Sequence, residues 1–166
     1  MSSVTSPART MDTAAQPRHF TAGAGTSFRL GRITLTFKTT GADSRGAYTL
    51  CEAVEPPGSG AGLHRHATYD ETHIICEGRY QCRLGDRELE LGPGEMMFAP
   101  RGTAHSIKSI GPDTGRELII SSPGGIFDAF IAEVAGPTNE SPGASPRGPA
   151  KDFRAIAAKY GIEFLD

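Results

Sequence analysis

The chain has 166 residues, with 17 basic and 19 acidic side chains and a formal net charge of -2 at pH 7. That length fits one domain with a real core, since chains of about 150 residues hide roughly 70% of their unfolded surface. The near-neutral balance gives no basic stripe for a phosphate backbone, no run approaches the roughly 18 apolar residues of a membrane span, and the N-terminus does not read as a secretory signal. Nucleic-acid and membrane partners are therefore not expected, and the expected compartment is the cytoplasm.

Residues 1–18 are rich in Ser, Thr, Ala and Pro without periodicity and are predicted to be a disordered tail. From about Thr26 the texture changes to short β-branched and aromatic runs broken by glycines, among them RITLTFKTT, AYTLCEAV, THIICEG, YQCRLG, HSIKSI and RELIISS. In the first of these Ile33, Leu35 and Phe37 alternate with Thr34, Thr36 and Lys38; farther on, Leu89 and Leu91 alternate with Glu88 and Glu90. Many short, closely spaced strands predict an all-β sandwich or barrel.

After the last strand, Ile126, Phe127, Phe130, Ile131 and Val134 recur at helical spacing and stop at Gly136-Pro137. Residues 136–149 read as a linker, and 150–166 as a second short helix and tail, with Phe153, Ile156, Ala157 and Tyr160 on one face and Gly161 as its cap. The predicted organisation is thus a barrel with its first helix over residues 19–135, followed by linker and helix. Helices appended to a barrel are candidates to cover an open end. Cys51, Cys76 and Cys82 form neither an even set nor a C-x-x-C pair and read as small buried apolar side chains.

Four of the five histidines, and the most suggestive carboxylate, fall between His64 and His105. His64 and His66 are two apart, so on a strand both imidazoles face one side and can converge on one ion at about 2.0 to 2.2 Å. Glu71 follows after a short segment able to return its carboxylate to that face, and His105 opens a later strand. Three imidazoles and one carboxylate suit Fe, Mn, Co, Ni, Cu or Zn and leave coordination positions open. His73, two residues after Glu71, points by alternation into the same cavity, either as a proton donor and substrate-orienting group or as a hydrogen-bonded core residue. Tyr48, Tyr69 and Phe98, with Met96 and Met97, are either pocket lining or plain core; the inward parity of the 96–98 run is not set by its sequence. Asp70 reads as a surface or turn residue.

Gly58-SGAGL-His64-Arg-His66-ATYD-Glu71-THIICE-Gly78 resembles the first cupin motif at every position. Gly94-EMMFA-Pro100-Arg-Gly102-TA-His105-SIK-Ser109 resembles the second, with Ser109 where the motif has Asn, a position that does not ligate metal in the family. The resemblance extends over roughly Thr26 to Ser122. It implies a double-stranded β-helix, the cupin jelly-roll barrel, holding one divalent transition metal per chain, iron first among the candidates, on His64, His66, Glu71 and His105. It also implies a small-molecule substrate, a homodimer, and a dioxygenase of the quercetinase-like kind that uses O2, with Glu71 as proton acceptor. A metal-assisted cyclase, isomerase or decarboxylase and a non-catalytic ligand-binding cupin are the alternatives.

Overall fold

The computed structural model describes residues 16–137 and 152–165. The tail expected over residues 1–18 and the linker over 136–149 lie largely outside the described residues. The chain runs β1 (Thr26–Leu30), β2 (Ile33–Thr39), β3 (Thr49–Glu55), β4 (Gly60–His66), β5 (Asp70–Glu77), β6 (Tyr80–Leu84), β7 (Arg87–Leu91), β8 (Met96–Ala99), β9 (His105–Ser109) and β10 (Gly115–Ser122). There follow α1 (Ile126–Val134), the two-residue β11 (Gly136–Pro137), α2 (Phe153–Lys159) and β12 (Ile162–Phe164).

These strands form two antiparallel sheets, one in the order β11-β1-β2-β3-β10-β5-β8 and one in the order β12-β4-β9-β6-β7. The expected all-β double-stranded β-helix with two short helices is the fold observed. β1 and β2 extend the first sheet beyond β3, so the RITLTFKTT segment covers that edge within its own chain. Gly78 turns the chain between β5 and β6 at a φ of 85°, a left-handed conformation that a Cβ disfavours. At Gly60 the need is space: a Cβ there would collide with the Ile107 carbonyl of the neighbouring β9.

Two buried apolar clusters fill the interior. One, around Ile75, Tyr80, Cys82, Leu91, Met97 and Ile107, is built by strands alone. The other joins Leu35, Phe37 and Ile119 of the barrel to Phe127, Phe130 and Ile131 of α1, Ala157 of α2 and Ile162 of β12. α1 is held to the barrel by Asp128, whose carboxylate accepts from the Gly41 amide at 2.9 Å and the Thr49 hydroxyl at 3.2 Å. α2 begins at Asp152, which caps it by accepting from the Ala155 amide at 3.1 Å.

The C-terminal residues, expected to form a tail, instead form β12, which pairs antiparallel with β4 in the register Ile162 to His66 and Phe164 to His64. Gly136 and Pro137, expected to open the linker, pair with β1. Cys51 and Cys82 are buried free thiols as expected, while Cys76 is only half-buried. Among the described residues no helix is long and apolar enough to cross a membrane.

Candidate metal centre

Strand alternation places His64 and His66 on the inner face of β4, and the antiparallel partner of His64 on β9 is His105. Glu71 comes from the opposite sheet, on β5, between Ser121 of β10 and Ala99 of β8. The two sheets therefore meet at one point, where a donor atom from each of His64, His66, Glu71 and His105 lies within 4.8 Å of the others. All four residues are buried.

The hydrogen bonds around them fit a metal. His64 Nδ1 donates to the Gly62 carbonyl at 2.7 Å and His105 Nδ1 to the Thr103 carbonyl at 2.9 Å. That leaves each Nε2 with its lone pair, the form a metal takes. His105 Nε2 lies 3.3 Å and His66 Nε2 3.8 Å from Glu71 Oε2. Burial, followed by the neighbouring His105, lowers His64 to about 4, and burial lowers His66 to about 3, so both stay neutral at ordinary pH. Glu71 is opposed by burial, but its contacts with His105 and His73 hold its carboxyl well below the usual range.

His73 is engaged at both ring nitrogens. Its Nε2 donates to Glu71 Oε2 at 3.1 Å and its Nδ1 to Glu117 Oε2 at 2.9 Å. Burial works against its charge, but the Glu117 and Glu71 carboxylates outweigh it and raise His73 well above its ordinary value. With two donated protons it has no lone pair for a metal; it braces Glu71 from behind.

Residues 52–121 match the cupin domain family. That match spans 70 of the 166 residues. An uncharacterized protein of Methanocaldococcus jannaschii is 38% identical over 75 residues, which span 45% of this chain and 60% of that protein. The polyketide cyclase RemF from Streptomyces resistomycificus superposes with a TM-score of 0.56 at 22% identity, covering 64% of this chain and 79% of that one. A predicted oxalate decarboxylase from Thermotoga maritima gives 0.52 at 23% identity, over 55% of this chain and 80% of its own. A double-stranded β-helix protein from Klebsiella pneumoniae gives 0.55 at 17% identity, over 66% and 92%. At these identities the likeness is one of fold.

The His and Glu cluster opens on a cavity of about 450 Å³. Tyr69 lines it, stacked on His66 with ring centroids 4.0 Å apart. Tyr48 and Phe98, expected in the pocket, are 41% and 49% exposed and do not line it. Met97 takes the inward position of β8, which turns Met96 and Phe98 outward, and Tyr48 precedes β3 at the surface. Asp70 pairs with Arg101 at 2.9 Å on the surface, as expected.

The rest of the lining comes from residues that motif reasoning does not reach. Phe127, Phe130 and Ile131 of α1, Phe153 of α2 and Phe164 of β12 roof the cavity, with the Phe164 ring stacked on His64 at 5.4 Å. Both appended helices are thus part of the cover. Glu55 and Glu117 also line it, each almost fully buried. Their signal in the sequence is parity: Glu55 shares the inward register of Cys51 and Ala53 on β3, and Glu117 that of Ile119 on β10.

Proposed function

We propose that the chain is a metal-dependent cupin enzyme acting on a small molecule, and within that class a dioxygenase for an aromatic or enolic compound with vicinal oxygens. What supports this reading most is that the buried His64, His66, Glu71 and His105 set opens on a cavity walled by aromatic and aliphatic side chains.

A divalent transition ion held by these four residues would supply Lewis acidity, lowering the pKa of a substrate hydroxyl. Iron is the first candidate. Glu71, buried and held ionised, would accept the hydroxyl proton. His73 fixes the carboxylate while it does so. Tyr69 and the Phe127, Phe130 and Phe164 rings pack the body of the substrate and exclude bulk water. O2 is the expected second substrate. A homodimer, expected from the family resemblance, is proposed as the working assembly and is read by light scattering.

The reaction is tested by oxygen-electrode measurements on the metal-loaded protein with catechol- and flavonol-type compounds. Oxygen uptake that tracks substrate loss and disappears in Glu71→Gln is the expected result. Substrate turnover without oxygen uptake would replace the dioxygenase reading with Lewis-acid cyclase, isomerase or decarboxylase chemistry. Binding without turnover would leave a ligand-binding cupin.

A further inference from the structure

Behind Glu71 the cavity wall carries a second polar feature that the metal-binding set does not use. Glu117 stands one imidazole ring away from Glu71, bridged by His73, and Glu55 stands beside it, on the neighbouring strand β3. Both residues line the cavity and are 0% and 3% exposed, respectively. His73 satisfies Glu117 Oε2, but Glu117 Oε1 and Glu55 Oε2 accept no hydrogen bond among the described residues. A buried carboxylate oxygen without a donor is costly, and native interiors rarely keep one without a reason. Burial, then Glu117, pushes the Glu55 carboxyl up to about 8, against the pull of the Tyr80 hydroxyl beside it.

The Tyr80 hydroxyl, the protein donor beside Glu55, itself closes no hydrogen bond among the described residues. Much of the surrounding lining is apolar, with Leu35 and Ile119 of the same sheet and Phe130 and Ile131 of α1. The proton that Glu55 holds at neutral pH can serve one of these oxygens, and a donor brought by the ligand can serve the other. We propose that Glu55 and Glu117 form a substrate subsite for a hydrogen-bond donor, an ammonium or hydroxyl group. The substrate is then an amphiphile with two polar ends: an oxygen directed at His64, His66, Glu71 and His105, a donor directed at the acid pair, and an apolar body against the phenylalanine roof.

This deepens the small-molecule reading of the cavity without depending on the metal, so it is tested with and without metal. Three para-substituted phenols serve as probes in calorimetric titrations at neutral pH: 4-(aminomethyl)phenol, 4-(hydroxymethyl)phenol and 4-methylphenol. The proposal predicts that the strongest donor-bearing probe binds at least about tenfold more tightly than 4-methylphenol, the size expected when a buried charged group gains its hydrogen bond. The order of the first two tells ammonium from hydroxyl. In Glu55→Gln the preference for the aminomethyl arm falls to within about threefold, while metal stoichiometry stays at the parent value. Equal binding of the three probes by the parent protein, tightest binding of 4-methylphenol, or binding of none of them overturns the subsite, whether or not the variant folds. A preference seen in the metal-free protein stands even if the metal reading fails.

Discussion

The two apolar clusters close the barrel with different materials. The cluster around Ile75, Tyr80, Cys82, Met97 and Ile107 is filled by strand side chains alone. The cluster around Phe37, Phe127, Phe130, Ile131 and Ile162 is finished by two helices and a C-terminal strand, and it borders the cavity onto which His64, His66 and Glu71 open. The strand-only cluster is the frame. The other is where this chain shapes what it binds, and its contributors arrive from outside the motif region.

If that division holds, truncation at the roof should cost both stability and site integrity, while truncation in the frame should cost stability alone. Phe130→Ala is expected to destabilise by about 3–5 kcal/mol, since Phe130 is 4% exposed and packs against Phe153 and Tyr160. Ile75→Ala, in the strand-only cluster and away from the cavity lining, should cost about 2–5 kcal/mol. Urea unfolding measures both. Loss of phenol binding in Phe130→Ala at temperatures where it stays folded would sharpen the contrast.

A smaller effect is expected behind the metal centre. Glu117→Gln removes the carboxylate that orients His73 and through it Glu71, and metal affinity should fall about 10- to 100-fold with the fold retained. Competition against a chelator reads this directly. An unchanged affinity would detach Glu117 from the centre.

Glu55 supplies a pH signature. Its folded value of about 8 lies above the ordinary 4.5, so the folded state holds a proton that the unfolded chain has released. Its contribution to stability is therefore present at low pH and is lost as pH rises from about 4.5 to about 8. Glu55→Gln should lack that loss, seen as a stability difference from the parent that changes between urea melts at about pH 5 and about pH 8. The smallest effect belongs to the surface: Phe98→Ala should stay within about 0.5 kcal/mol of the parent, because Phe98 is 49% exposed on an edge strand.

The centre itself was legible because its chemistry is written in spacing. His64 and His66 two apart, Glu71 five residues on, and His105 at a strand start are enough to bring two sheets to one point. Phe98 was not legible, because Met96, Met97 and Phe98 are all apolar and carry no alternation to set which face is inward. On β3 and β10 apolar alternation misleads. Thr49, Cys51, Ala53 and Glu55 point in and Leu50 and Val54 lie on the other face, so the inward side carries small side chains that pack in the core and one carboxylate that lines the cavity. β12 was hidden for another reason: three residues after a short helix carry too little pattern, and what holds them is pairing with β4, far back in the chain.

The central claim is that His64, His66, Glu71 and His105 hold one divalent transition ion. Elemental mass spectrometry on untagged protein, beside a His64→Ala, His105→Ala double variant, tests it most directly. About one Fe, Mn, Co, Ni, Cu or Zn per chain, absent from the folded variant, is the predicted result. A parent protein that takes up no metal even after reconstitution, or a variant that keeps it, would contradict the account.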